Sequence, residues 1–81
     1  MSEPVLVEAH VGRGGRLRPR SFVWREQRYA VASLGRQWTD AGETHVLVMA
    51  SGGTFELAYL PDNGAWRLVR TPEDFGTQPR A

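Results

Sequence analysis

The stretch that decides the fold is Thr44-His-Val-Leu-Val-Met-Ala-Ser-Gly-Gly-Thr-Phe-Glu-Leu-Ala-Tyr-Leu60. Two apolar runs with alternating side chains, residues 44–50 and 54–60, flank a glycine pair, which is typical of a β-hairpin. A two-residue turn at Gly52-Gly53 predicts three pairs on the core face: Ala50 with Phe55, Val48 with Leu57, and Val46 with Tyr59. The hairpin therefore supplies the centre of an antiparallel sheet.

The opposite face of this hairpin is also largely apolar, since it carries Leu47, Met49 and Leu60. A sheet with one solvated face would show polar residues there. Either the sheet curls and a second layer covers this face, or the face meets a partner. The second alternative makes Leu47, Met49 and Leu60 candidate protein-interaction residues.

Glycine and proline divide the rest of the chain into further short strands. The predicted strands are residues 5–11, 21–25, 28–34 and 65–70, and residues 35–43 are predicted to form an irregular connection that holds Trp38. We expect an all-β fold, a single small antiparallel meander of five to six strands closed as a barrel or strongly curled sheet. Residues 1–70 form the β-domain and residues 71–81 a flexible C-terminal tail.

The turn at residues 61–64 leaves two registers open. A four-residue loop places Trp66 and Leu68 beside Tyr59 and Leu57. A three-residue loop with a glycine bulge places them on the other face.

Arginine is the only basic residue type in the chain, and seven of the ten arginines lie between Arg13 and Arg36. They alternate with aromatic residues in Arg18-Pro-Arg-Ser-Phe-Val-Trp-Arg-Glu-Gln-Arg-Tyr29, where Glu26 is the only acid. Arginine and aromatic side chains together are what a small module uses to bind phosphates and stack on bases. The same mixture is also typical of a half-buried hairpin in a protein without lysine.

A turn at Glu26-Gln27 predicts that Trp24 pairs with Tyr29 and that Arg25 lies opposite Arg28. Like charges that face each other across strands are destabilising. The pair therefore needs an anion, which is either a carboxylate of this chain (Glu56, Asp40 or Glu43) or a phosphate of another molecule.

At these residues the chain resembles a family of small, uncharacterised bacterial β-domains. The resemblance covers about residues 18–70 and rests on five segments: Phe22-Val-Trp24, Tyr29-Ala-Val31, Trp38, Phe55-Glu-Leu-Ala-Tyr59 and Gly64-Ala-Trp-Arg-Leu68. Some members resemble domains appended to Y-family translesion DNA polymerases of the mutasome type. The resemblance implies a DNA-repair or nucleic-acid context, and it transfers no catalytic residue.

Composition excludes several other function classes. The chain has 81 residues and no cysteine, which predicts one domain without disulfides or thiolate metal sites. His10 and His45 are the only histidines, and neither has the spacing of a metal motif. No spacing indicates a nucleophile with its base. We expect a cytoplasmic protein that is not an enzyme, with no cofactor, no metal and no membrane partner.

Two functional hypotheses remain. The first is a non-catalytic protein-interaction or homo-oligomerisation module, with another protein or a second copy bound at Leu47, Met49 and Leu60. The alternative is a nucleic-acid-binding accessory domain in DNA repair or translesion synthesis, which binds single-stranded or double-stranded DNA. Its predicted contact residues are Arg16, Arg18, Arg20, Arg25, Arg28 and Trp38.

Overall fold

Six antiparallel strands close into a barrel in the order β1 to β6 in a computed structural model that describes residues 2–76. The strands are β1 (Glu3–Val11), β2 (Leu17–Trp24), β3 (Gln27–Asp40), β4 (Glu43–Ala50), β5 (Gly53–Leu60) and β6 (Ala65–Arg70). A short 3-10 helix (Arg13–Gly15) follows β1, and a short helix α1 (Pro72–Gly76) follows β6. The predicted all-β, single-meander fold is confirmed.

The inner faces of the strands form one aromatic and aliphatic core. Its fully buried members are Phe22, Val46, Val48, Phe55, Leu57 and Leu68. Phe22 stacks on Tyr29 with ring centroids 5.1 Å apart, and Phe55 meets both rings edge-on. Burying each of these large side chains contributes about 1.5–3 kcal/mol. Trp24, Tyr29 and Trp66 pack against these members, so most of the aromatic residues contribute to the core, and Trp38 does not.

A β-bulge in β2 separates the arginines of this strand from its core residues. The register with β1 shifts between Glu8, opposite Ser21, and Ala9, opposite Pro19, so Arg20 is the extra residue. Strict alternation would place Phe22 on the face of Arg18 and Arg20. With the bulge, both arginines are exposed and Phe22 is buried.

Strand β3 is a corner strand with two irregularities. It pairs with β2 only over residues 27–30, and from Val31 to Asp40 it pairs with β4. Its register shifts near Ala32 and again near Gly35, which bends the strand from one part of the barrel to the other. The prediction of an irregular connection over residues 35–43 is wrong, because the bulges keep this segment in the sheet and a tight turn at Ala41-Gly42 ends it.

The central hairpin turns one residue earlier than predicted. Val48 lies opposite Phe55 and Val46 opposite Leu57, because Ser51-Gly52 forms the turn. The register is therefore shifted by two residues, which leaves every side chain on its predicted face. Gly53 has a φ of 132°, which favours glycine, and a Cβ atom at this position would also lie 3.0 Å from Pro72 of α1.

The arginine-rich hairpin also turns one residue earlier than predicted. Arg25 and Glu26 form the turn, with φ angles of 51° and 65°. Phe22 therefore lies opposite Tyr29, and Arg28 lies opposite Val23. The predicted Arg25–Arg28 opposition is wrong, because the register that stacks Phe22 on Tyr29 moves Arg25 into the turn.

The four-residue alternative for the last turn is confirmed. Tyr59 lies opposite Trp66 and Leu57 opposite Leu68, and the Gly64 amide donates a hydrogen bond to the Leu60 carbonyl at 2.9 Å. Beyond β6, α1 contacts β5 and β6. The predicted tail thus begins as a helix, residues 77–81 lie outside the described residues, and the flexibility of the tail stays a prediction. Within residues 2–76, no helix has the length and apolar character that crossing a membrane requires.

Candidate functional site

The barrel has an open seam between β2 and β3. Residues 17–20 of β2 pair only with β1, and residues 31–37 of β3 pair only with β4. One side chain bridges the gap: the Leu17 amide donates to Gln37 Oε1 at 3.2 Å, and Gln37 Nε2 donates to the Leu17 carbonyl at 3.1 Å. We call the gap between these two segments the seam.

A groove of about 510 Å³ occupies the seam on one side of the Gln37 bridge. Arg18 and Arg20 stand on its β2 wall, and Val31 and Leu34 stand on its β3 wall. Its other lining residues are His10, Val11, Gly12, Pro19, Ala32 and Ser33. Among residues 2–76, no carboxylate lines the groove, so no described residue within it neutralises the two arginines.

A second groove, of about 320 Å³, continues beyond the Gln37 bridge. It brings together Arg16 and Trp38, with Gly14, Thr39 and Thr44 as its other neighbours, and it also contains no carboxylate. The Trp38 ring stacks on His45 with centroids 5.3 Å apart and an interplanar angle of 11°. The Arg36 guanidinium lies 5.3 Å from the centroid of the same ring.

The seam arginines differ from Arg28, Arg67 and Arg70 in their ion pairing. Within residues 2–76, carboxylates within 4 Å are found for Arg28, Arg67 and Arg70, and none is found for Arg16, Arg18 or Arg20. All three seam arginines are exposed. The seam therefore presents positive charge that the described part of the chain does not pair.

The other two predicted nucleic-acid contacts lie elsewhere. Arg25 lies over the Trp24 ring at 4.5 Å, and Arg28 pairs with Glu8 at 3.3 Å. Seven residue steps along β2 separate Leu17 from Trp24, which corresponds to about 23 Å. The structure thus groups Arg16, Arg18, Arg20 and Trp38, and it leaves Arg25 and Arg28 at the opposite end of β2.

A buried ionic cluster on the outer face of β4, β5 and β6 was missed by sequence reasoning. His45 Nδ1 lies 2.8 Å from Glu56 Oε2, and both residues are buried. Arg70 pairs with Glu56 at 3.2 Å, and Arg67 donates two hydrogen bonds to Glu43. The register places Glu56 opposite Arg70 because it shifts between Glu56 and Leu57, whereas the predicted register would have placed Glu56 opposite Val69. We call these five residues the ionic cluster.

Within the ionic cluster, Arg67 favours the charged form of Glu43. The hydrogen bond from Arg67 lowers the pKa of the Glu43 carboxyl below its ordinary value, and the same contact raises the pKa of Arg67. Both carboxylate oxygens of Glu43 thereby accept hydrogen bonds from the Arg67 guanidinium. In the described part of the chain, no group of three histidine or acidic residues is arranged to hold a metal ion.

The three predicted protein-interaction residues are half-buried. The side chains of Leu47 and Met49 cover Gly35, where a Cβ atom would lie 3.4 Å from Leu47 and 3.5 Å from Met49. Leu60 lines a cleft of about 200 Å³ together with Trp66 and Arg67. This face is therefore partly covered by the chain itself, and its role in binding a partner stays a prediction.

A family model described as "Domain of unknown function (DUF6504)" matches residues 1–49. The matched segment contains β1, β2, β3 and most of β4, and therefore both walls of the seam. No curated protein and no solved structure matches the chain.

Proposed function

The chain belongs to the DUF6504 family, a domain family of unknown function, and we propose that it is a non-catalytic module that binds single-stranded nucleic acid along the seam. One observation carries the proposal: Arg16, Arg18 and Arg20 line two adjoining grooves that contain no carboxylate. A neighbouring aromatic ring, Trp38, lies at the far groove.

The chemistry of the seam suits a phosphate backbone. Guanidinium groups bind phosphate oxygens bidentately and stay charged at any pH at which the protein is folded. A strand that neutralises them releases condensed counterions, which supplies much of the affinity of a non-specific site. Arg18 and Arg20 would contact successive phosphates, and Arg16 would contact a third beyond the Gln37 bridge.

The shape of the seam favours a single strand over a duplex. Its two walls are strand edges joined by the Gln37–Leu17 bridge, so the grooves accept an extended chain more readily than a rigid double helix. Single-strand binders combine a basic groove with rings on which bases stack. The exposed part of Trp38 supplies that ring.

The resemblance to domains beside Y-family polymerases supports a DNA-repair setting for this activity. An accessory module that holds the unpaired template near a translesion polymerase needs affinity without sequence specificity, which arginine contacts to phosphate provide. We therefore include single-stranded DNA as the first ligand to test.

The test is fluorescence anisotropy with a labelled thymidine oligonucleotide at low salt, about 50 mM, where phosphate contacts are strongest. We expect R18E/R20E to weaken binding at least about tenfold. The matched control is R25E/R28E, which changes the net charge equally at the other end of β2, and we expect it to bind nearly as the wild type does.

Three outcomes would contradict the proposal: no binding by the wild type at low salt, equal loss in both double variants, or a preference for duplex. Thermal unfolding of each variant separates loss of binding from loss of fold.

A further inference from the structure

One strand edge of the barrel is open over the second half of β1. β1 pairs with β6 only through Glu3, Pro4 and Val5, because β6 begins at Ala65, opposite Leu60 of β5. From Leu6 to Val11, β1 pairs on its other side with β2. In the described part of the chain, no backbone hydrogen bond joins the free side of residues 7–11 to another segment.

This open edge lacks several features that protect edge strands, and Glu8 is its one acidic residue. Residues 7–11 contain no proline and no lysine, and β1 itself carries no extra bulged residue, because the bulge belongs to β2. Val11 at its end is 70% exposed. Such an edge is a template for pairing with a further strand.

The sequence of the edge is complementary to itself in one antiparallel register. If two copies pair with Ala9 opposite Ala9, then Val7 lies opposite Val11 of the second copy. Glu8 lies opposite His10 of the second copy, and the two-fold axis repeats both pairs. Opposite charges and apolar side chains that face each other across antiparallel strands are stabilising.

Glu8 has one carboxylate oxygen available for this contact. Its Oε1 atom accepts hydrogen bonds from Ser21 and Arg28, and in residues 2–76 its Oε2 atom has no hydrogen-bond partner within the chain. Glu8 and His10 are both exposed on the same face of β1. The proposed contact uses the free side of β1 and leaves the pairing of β1 with β2 unchanged.

We propose that a second copy of this chain occupies the open edge, so that residues 7–11 of two copies pair antiparallel about Ala9. Closed two-fold dimers of this kind use the same patch on both subunits. The pairing joins two barrels into one continuous sheet and covers Val11. It uses the backbone edge of β1 that faces away from β2, and of the paired residues His10 and Val11 also line the seam groove.

Single-cysteine variants test the register directly, because the natural chain has no cysteine. In the proposed dimer the two Ala9 Cα atoms lie about 4.5–5.5 Å apart, which a disulfide spans. We expect A9C to form a disulfide-linked dimer under mild oxidation. V11C is the matched control, because its two cysteines lie about 13 Å apart along the strands and form no bond.

Charge exchange provides a second test by sedimentation velocity. E8K places a lysine opposite His10 of the second copy, and H10E places a glutamate opposite Glu8. Neither variant has an acidic residue opposite a basic one, so we expect both to be monomeric at concentrations where the wild type is dimeric. The double variant E8K/H10E restores opposite charges and the dimer. V23K is the control for an added surface lysine, since Val23 lies on β2, which has a partner strand on each side.

A wild type that stays monomeric at millimolar concentration would overturn the proposal. A dimer in which A9C does not crosslink, or in which V11C crosslinks equally well, would also overturn it, because it would use another surface or register. Oligonucleotide binding by E8K separates this result from that of the proposed function, because Glu8 lines neither seam groove, whereas His10 lines one of them.

Discussion

Two groups of arginines on one small barrel differ in what faces them. Arg67 and Arg70 contact carboxylates, one of which, Glu56, is 4% exposed. Arg18 and Arg20 line a groove without any carboxylate. Arginines of the first kind complete the fold, whereas those of the second kind leave charge for another molecule. The presence of a neighbouring carboxylate therefore decides whether an arginine stabilises the fold or remains unpaired. The density of arginine in the sequence does not decide it.

The largest expected effect concerns the ionic cluster. Glu56→Ala leaves His45 and Arg70 without their carboxylate, and breaking a buried pair in this way costs about 3–5 kcal/mol. The matched control is Glu8→Ala, whose pair with Arg28 is exposed and worth less than about 1 kcal/mol. Urea unfolding followed by tryptophan fluorescence measures both. Equal losses in the two variants would remove the distinction between the two groups of arginines.

The seam side is tested by its aromatic ring. Trp38→Ala removes the stacking surface, so we expect the affinity for a single-stranded oligonucleotide to fall by about 1–3 kcal/mol. Trp38→Phe retains a ring and should retain most of the affinity. Because Trp38 also stacks on His45, the unfolding midpoint of each variant is measured beside its affinity. Unchanged binding by a folded Trp38→Ala variant would exclude this ring from the site.

The hairpin end of the arginine-rich segment is the intermediate case, since Arg25 lies on Trp24 and Arg28 pairs with Glu8. Its arrangement depends on a turn in which Glu26 has a φ of 65°, a conformation that costs a non-glycine residue about 1–2 kcal/mol. Glu26→Gly relieves that cost, and the higher conformational entropy that glycine gives the unfolded chain offsets part of the gain. We expect a net stabilisation of about 0.5–1 kcal/mol.

Gln27→Gly is the control for the register of this hairpin. In the structure Gln27 is a strand residue opposite Trp24, where glycine costs about 0.5–1 kcal/mol. A stabilised Gln27→Gly variant would instead support a turn at Glu26-Gln27. Thermal unfolding of the two variants side by side decides between the registers.

The fold was predictable where alternation and glycine turns act together, as in β4, β5 and β6. Both predicted hairpin registers were wrong by two residues, because the residues that flank a two-residue turn do not specify which pair occupies it. The extent of β3 was not predictable, since its bulges near Ala32 and Gly35 leave no pattern in a single sequence. In the structure, the stacking of Phe22 on Tyr29 accompanies the register of the first hairpin, and the contact of Gly53 with Pro72 of α1 accompanies that of the second.

The residue types of the candidate site, arginine and tryptophan, were predictable from the sequence. Which of the predicted residues lie together was not. The predicted strands 5–11 and 21–25 leave Pro19 between them, in a loop. In the structure it lies in β2 opposite Ala9, and on the seam side β2 has no ladder at this position for a missing N–H to weaken. Arg18 and Arg20 therefore belong to β2, whereas Arg25 lies in the turn and Arg28 lies in β3.

The smallest expected effect is the pH dependence of the Glu43–Arg67 pair. Arg67 lowers the pKa of Glu43 in the folded chain, so the pair stabilises the fold above the ordinary glutamate pKa of about 4.3. That stabilisation is lost as the pH falls below this value towards the lowered pKa of the folded state. Glu43→Gln has no such charge to lose. We therefore expect the stability difference between the wild type and Glu43→Gln, measured by urea unfolding, to be constant near neutral pH and to shrink on acidification. A difference that stays constant into the acid range would mean that Glu43 and Arg67 do not stabilise the fold through their charges, and the contrast with the seam arginines would then rest on Glu56 and Arg70 alone.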